Sequence, residues 1–442
     1  MSPPLTRINS DERLPAQVDV VVIGGGVIGV SAAYHLAKKG LSVALVEKGH
    51  VGGEQSSRNW GWCRQQGRAR EEIPLAREAL RLWEDMQNDA GVDAGFRRTG
   101  VLFLTKNKDE LASWERWTAV AREMQVHSTV LTPAEVAERV PGNTDKWVGG
   151  LHTPSDGRAE PSMAVPALAT AARKHGVTIH QGCAARGLET TGGRVSAVVT
   201  EKGTIRTQSV LLSGGAWSSL FCRRHGIELP IGLVNATACR TTPAPEITSG
   251  ALGTDFYCIR RRLDGGFTLA LRNRGTVELS PDLFRYARTF WPTYLHRRNG
   301  LKMSFGKSFF DQLMRGTSWS FDKPSPFETE RVRDPAPDMS LVTAALASLI
   351  KANPELKDVE IAEAWGGTID CTPDTIPVIS QVDALPGFFL ATGFSGHGFG
   401  IGPAAGKLAA DIVTGSTPLV DPAAYSHKRM IDGRRLAPVS PF

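Results

Sequence analysis

The sequence predicts an α/β fold (α+β overall), a parallel-sheet domain interrupted by a second, mostly antiparallel domain, so that both are discontinuous. Three observations predict it. An apolar run at 18–23 passes through Gly24-Gly25-Gly26-Val27-Ile28-Gly29 into a helical pattern, then into a second apolar run at 42–46 that ends on Glu47. Near the far end of the chain a strand at 388–391 passes in the same way through a glycine loop, 393–400, towards a helix from Pro403 to Ile412. Between them lie blocks with hairpin signals and many aromatic and basic residues. At 442 residues two domains are the default.

The opening unit has the full context of a dinucleotide-binding, Rossmann-like fingerprint: strand, tight glycine turn, helix, strand and acidic residue. Gly24 allows the turn, Gly26 lets the backbone approach a pyrophosphate, and Gly29 lets the helix pack on the strand. Val27 and Ile28 begin the helix, whose free N–H groups and dipole favour the phosphates. Glu47 is placed to hydrogen-bond a ribose diol and would repel a 2′-phosphate; Lys48 follows it.

Composition narrows the function class. The charged and apolar fractions are those of an ordinary globular protein, and a net charge of +6 from scattered Lys and Arg argues against nucleic acid. No apolar run reaches the roughly 20 residues needed to span a bilayer, so no integral membrane segment is expected. The polar, Pro-containing residues 1–17 read as a frayed arm without a signal peptide or anchor. Six cysteines in no CxxC spacing and dispersed histidines predict neither a disulfide framework nor a metal site, and point to a reduced, cytoplasmic setting.

The rest follows in order. Residues 52–62, with Ser56, Ser57, Arg58, Asn59, Trp60 and Trp62, form a small polar loop that returns to the dinucleotide and supplies a cofactor wall. A long helix starts at Glu71. Residues 95–151 carry a short strand at 101–104 and helices at 108–124 and 133–140. The first domain resumes with a helix at 161–175, a strand at 177–180, a hairpin at 194–208, and a strand at 210–212 that runs into Ser213-Gly214-Gly215-Ala216-Trp217-Ser218. Small residues at the carboxyl end of such a strand mark a ligand site. The second domain resumes with a hairpin at 255–271, then an aromatic and basic stretch at 286–321 that reads as core or lid. Residues 363–414, with Gly367, Asp374 and the loop Gly396-His397-Gly398-Phe399-Gly400, close the first domain. The expected boundaries are 17–94, 152–229 and 340–430 for the first domain, and 95–151 and 230–339 for the second.

These motifs resemble the flavin amine oxidoreductases of the D-amino-acid-oxidase superfamily, alongside glycine oxidase and sarcosine oxidase. Gly53-Glu54-Gln55-Ser56-Ser57-Arg58, Cys183-Ala184-Ala185-Arg186-Gly187 and Val198-Val199-Thr200-Glu201-Lys202-Gly203 are more specifically similar to bacterial L-amino acid deaminases. The resemblance implies an FAD-binding first domain and a substrate-binding second one. It places Ala185 at the adenine, the loop around Gly398 at the flavin, and an arginine for the substrate carboxylate at Arg260. The membrane-bound deaminases carry an anchor that this chain is expected to lack, and Asn59-Trp60-Gly61-Trp62 departs from their pattern. Cys371 sits next to Thr372-Pro373-Asp374, whereas covalently flavinylated sarcosine oxidases place their cysteine farther upstream, so the FAD is expected to be non-covalent.

The implied chemistry is hydride transfer from Cα to flavin N5, with the amine neutral and the protein supplying orientation and electrostatics. A planar guanidinium suits the carboxylate, and strand alternation puts Arg260 and Arg262 on one face with Arg261 opposite. His397 and Trp62 are further pocket candidates. The leading expectation is an L-amino acid oxidase that releases a 2-oxo acid, ammonia and hydrogen peroxide, with molecular oxygen as acceptor and an oligomer possible. Alternatives are a dehydrogenase or deaminase passing electrons to a quinone or carrier, an oxidase of glycine, sarcosine or a D-amino acid, and a non-catalytic flavin-binding subunit.

Overall fold

The computed structural model describes residues 3–438. Val20–Ile23 is buried on every residue and pairs in parallel with Val43–Glu47 on one side and Ser209–Leu212 on the other. Thr178–Gln181 and Phe388–Thr392 extend this sheet in parallel, and Val378–Gln381 adds one antiparallel edge. Near-continuous apolar strands are what a sheet covered on both faces requires. One face carries the helices Val27–Lys38, Ile73–Ala90, Pro161–Lys174 and Gly398–Thr414. The other packs against an antiparallel sheet of Ala185–Thr191, Arg194–Thr200 and Gly203–Arg206.

The second sheet has ten strands and is mostly antiparallel. At its centre Gly232–Thr241 pairs along its length with Ile361–Cys371. Two pairings are parallel: Ala251–Gly253 with Val101–Thr105, and Gly275–Glu278 with Leu301–Ser304.

Three features differ from the sequence expectation. Ile361–Cys371, assigned to the first domain, is a strand of the second sheet, paired there to Gly232–Thr241. Helix Met339–Ala352 buries Val342, Ala345 and Leu349 in that sheet's core. The chain thus crosses back near residue 372 rather than 340, because the partner of 361–371 lies more than a hundred residues upstream, beyond any local pattern. Second, the last helix begins at Gly398 rather than near Pro403, so the glycine loop is itself the first turn. The missing N–H of Pro403 forfeits a bond to the Phe399 carbonyl without ending the helix. Third, the aromatic stretch at 286–321, read as core or lid, holds two helices, Ala287–Arg297 and Lys307–Arg315, flanking a short strand, and is not core, since Trp291, Phe305 and Phe310 are exposed.

The six cysteines are free. Among the described residues no helix is long and apolar enough to cross a membrane.

Candidate functional site

Two adjoining cavities lie between the sheets, sharing Gln55, Asn59, Gly396 and Phe399 as a common wall. The first is built around the glycine turn. Gly24 adopts φ +110°, and a Cβ there would lie 2.3 Å from the Ser213 carbonyl oxygen; a Cβ on Gly29 would lie 2.0 Å from the Gly24 oxygen. Only glycine lets the turn sit between the two strands at this spacing. The turn and the following helix end bring Gly24, Gly26, Val27 and Ile28 to the wall, facing Glu47, Lys48, Ala185, Gly214, Trp217 and Gly398. Ser56 Oγ accepts from the Val27 N–H at 3.0 Å and pins the polar loop to the turn. Glu47 accepts from the Gly25 and Gly49 N–H groups, each at 2.7 Å, while burial raises its pKa.

Trp217 is held between two cations. Lys48 Nζ and the Arg333 guanidinium lie 4.5 Å from its ring, and its Nε1 donates to Glu54. Lys48 also ion-pairs with Glu54 at 2.7 Å and donates to the carbonyls of Glu330 and Arg331. The segment around 327–334 therefore straps across this cavity, with Phe327 and Val332 in its wall.

Polar atoms in the walls fit a polar ligand. Ser213 Oγ and Gln55 Oε1 are buried without a hydrogen-bond partner, as donors or acceptors awaiting a bound group are. Backbone N–H groups of two helix starts converge here as well, the donor set that suits a pyrophosphate.

The second cavity, about 350 Å³, opens beside the first. Its floor is made by Trp60 and Trp62, ring centroids 5.6 Å apart, with His397 and Phe399. His397 Nδ1 lies 3.0 and 3.1 Å from the two carboxylate oxygens of Glu72, which is fully buried. Burial, reinforced by Arg68, lowers the His397 pKa to about 4, so the ring is neutral near pH 7. Burial raises Glu72, but His397 and Arg68 outweigh it and hold the carboxyl below its ordinary value. Six arginines line the walls, Arg58, Arg64, Arg68, Arg272, Arg274 and Arg297, and among the described residues no carboxylate does. Arg68 is buried, with Nε and Nη1 lacking any hydrogen-bond partner. Arg64 donates to the Gln66 carbonyl, and burial together with Arg68 lowers its pKa to about 9.

The sequence-predicted residues divide accordingly. Trp62, Gly367, His397 and Gly400 line the second cavity, and Arg58 does so while bonded to Asp334 and the Gly366 carbonyl. Ser57 lines neither cavity and bonds the Glu54 carbonyl. Asp374, expected at the cofactor, instead binds Arg429 at 2.8 Å and caps the Ile376 N–H, a buried clasp on the C-terminal segment.

Arg260 requires correction. The predicted alternation holds, since Arg260 and Arg262 both reach Thr268 while Arg261 bonds the Ala244 carbonyl. Yet Arg260 is fully buried and lines neither cavity. Its Nη1 pairs with Glu160 at 2.6 Å and its Nε donates to the Trp60 carbonyl at 2.7 Å. A guanidinium satisfied on all sides by protein anchors the tryptophan loop rather than meeting a ligand.

Sequence reasoning missed Arg64, Arg68, Glu72, Arg297 and the 327–334 strap. The available signal was Arg64-Gln65-Gln66-Gly67-Arg68, a basic and amide-rich run directly after the tryptophan loop. The strap had no signal, because its residues act by crossing from the second domain.

Comparison with known proteins agrees with this geometry. A family model described as FAD dependent oxidoreductase (DAO) matches residues 19–412. Glycine oxidase of Pseudomonas aeruginosa is 27% identical over 431 residues, covering 92% of this chain and 98% of its own. Mitochondrial sarcosine dehydrogenase of Mus musculus is 26% identical over 95% of this chain but only 42% of its own, so the chain spans less than half the length of the first curated relatives it matches. The structure of an L-amino acid deaminase from Proteus myxofaciens, in complex with anthranilate, superposes with a TM-score of 0.93 at 32% identity, covering 97% of both chains. FAD is the cofactor, and the polar wall atoms of the first cavity suit it. The family match runs from the first strand to the last helix, and the chain belongs to the DAO family of FAD-dependent oxidoreductases.

Proposed function

We propose that this enzyme oxidises free L-amino acids at the Cα–N bond, yielding 2-oxo acids and ammonia, with oxygen as acceptor and hydrogen peroxide as by-product. The observation that carries the reading is the arginine-rich cavity, lined by no carboxylate among the described residues, that adjoins the glycine cradle at Gly396 and Phe399. The cradle residues Gly24, Gly26, Val27, Ile28, Glu47, Lys48, Ser56, Asn59, Ala185, Gly214, Trp217, Gly396 and Gly398 would hold FAD without a covalent bond, and FAD, when bound, supplies the hydride acceptor.

Everything else falls to the chain. Arg64 and Arg68 bind the substrate carboxylate, Arg68 through the two nitrogens it leaves unpartnered. Glu72 fixes the His397 tautomer with Nδ1 protonated, so Nε2 is left as an acceptor for an amine N–H on the cavity side. Surrounding cations disfavour an ammonium and favour the neutral amine, the form whose lone pair can build the C=N bond. Trp60, Trp62 and Phe399 keep the reacting end dry.

Two observations favour a side-chain-bearing L-amino acid over glycine or sarcosine. The cavity is larger than those substrates need and its walls are largely apolar. The Proteus structure also matches almost the whole chain. The test is anaerobic mixing of the flavin-loaded enzyme with a panel of L- and D-amino acids, glycine and sarcosine, followed by reoxidation in oxygen. L-amino acids should bleach the flavin and oxygen should restore it. Bleaching by glycine, sarcosine or D-isomers alone overturns the substrate assignment, and reoxidation only by a quinone overturns the acceptor.

A further inference from the structure

The helix Ala287–Arg297 turns one face into the second cavity: Phe290, Thr293, Tyr294 and Arg297, at the i, i+3, i+4, i+7 spacing of a single helical stripe. Thr293 Oγ1 donates to the Pro373 carbonyl and seats the helix against the segment that re-enters the first domain. The helix is therefore one wall of the cavity whose lining includes Trp60 and Trp62, and its inward residues are available to whatever the substrate carries beyond Cα.

Arg297 is the informative one. Of the six cavity arginines, Arg58 pairs with Asp334, and Arg272 pairs with both Glu110 and Asp255. Arg64 and Arg68 are assigned above to the α-carboxylate. Arg274 is exposed, where solvent screens its charge. Arg297 is half-buried, and its one hydrogen bond among the described residues runs from Nη1 to the amide oxygen of Asn273 at 2.7 Å, with no carboxylate paired to it. A half-buried guanidinium on the wall of a cavity that Arg64 and Arg68 also line, with no carboxylate partner among the described residues, is a site for an anion.

Resting on the reading that this cavity holds the substrate, we propose that Arg297 is a specificity residue for a second anionic group. The preferred substrates are then amino acids whose side chain ends in a carboxylate or comparable anion, bound between Arg64 and Arg68 at one pole and Arg297 at the other. Phe290 and Tyr294 flank the intervening methylene groups.

The test uses the flavin-loaded enzyme and ligands that cannot be oxidised. Dicarboxylates from succinate to pimelate, and the straight-chain monocarboxylates of equal length, are titrated while the flavin absorbance is followed. At least one dicarboxylate should bind about tenfold or more tighter than its monocarboxylate partner, the effect of one charge-assisted hydrogen bond. Arg297→Met should abolish that difference and leave monocarboxylate binding unchanged, which also shows that the variant is folded; Arg297→Lys should retain part of it. Equal binding of mono- and dicarboxylates by the unaltered enzyme overturns the proposal, as does a preference that survives in Arg297→Met. In turnover, glutamate or 2-aminoadipate should outpace its neutral isostere in kcat/KM, and the reverse order counts against the subsite. If dicarboxylates bind with the expected preference but no amino acid reduces the flavin, the anion subsite stands and the oxidative reading falls.

Discussion

The two cavities share a wall and are built on opposite plans. The first is made largely of backbone: a glycine turn, two helix starts and strand ends brought to one place by a parallel sheet, with a few side chains such as Glu47 and Trp217 at its edges. The second is made of side chains, six arginines and several aromatic residues drawn from separated segments of both domains. A backbone-built site tolerates almost no change in its glycines, because the clash is with main chain that cannot move. A side-chain-built site can lose a group while its framework stands, so its variants should change chemistry before stability.

Substitutions can break or sharpen that contrast. The largest effect is expected at Gly29→Val, where the new Cβ would meet the Gly24 carbonyl oxygen at 2.0 Å. Little folded protein should result, measured by soluble yield and circular dichroism; a normal yield would show that the turn relaxes. Gly26→Val is the milder partner, since its Cβ meets only the end of Ser56. It should fold but lose the visible flavin spectrum.

Next come two arginines of opposite kind. Arg260→Met removes the nearer of the two cations beside buried Glu160, leaving only Arg158 at 3.8 Å, and should cost about 3 kcal/mol of stability. Thermal unfolding would read this directly. Arg68→Met instead removes a buried guanidinium with two unpartnered nitrogens, and Glu72 keeps His397 as its hydrogen-bond partner, so stability should fall less than in Arg260→Met. Its kcat/KM for amino acids should fall roughly ten- to a hundredfold, the worth of a charge-assisted hydrogen bond. If Arg260→Met lost activity at unchanged Tm while Arg68→Met lost stability, the two assignments would be exchanged.

The smallest and broadest effect is pH dependence. Burial lowers the pKa of His35 to about 3 and those of His50, His225 and His397 to about 4, against an ordinary 6.5. Between those values the unfolded chain takes up protons that the folded protein refuses. Stability from these groups is thus complete above pH 6.5 and is lost progressively as pH falls towards 4. Tm measured across that range should decline, and His397→Gln should flatten part of the slope.

Much of the first domain was legible because its signals are local. The strand, the glycine turn and Glu47 lie within thirty residues, and both the turn and its ligand chemistry follow from backbone sterics that a linear pattern records. The same holds for the alternation of Arg260 to Arg262, which the structure reproduces. Alternation fixes which residues share a face, however, and says nothing of what that face meets. Glu160, a hundred residues upstream, claims Arg260, while Arg68 is left unpaired at the cavity by the fold around it. Likewise, Ile361–Cys371 joins the second sheet because Gly232–Thr241 offers it an edge, a choice made by long-range pairing. The sequence by itself determined the opening glycine turn, whose geometry is written in consecutive residues. Only the tertiary structure decided which cations face the second cavity, because a buried charge is settled by the partner the fold brings to it.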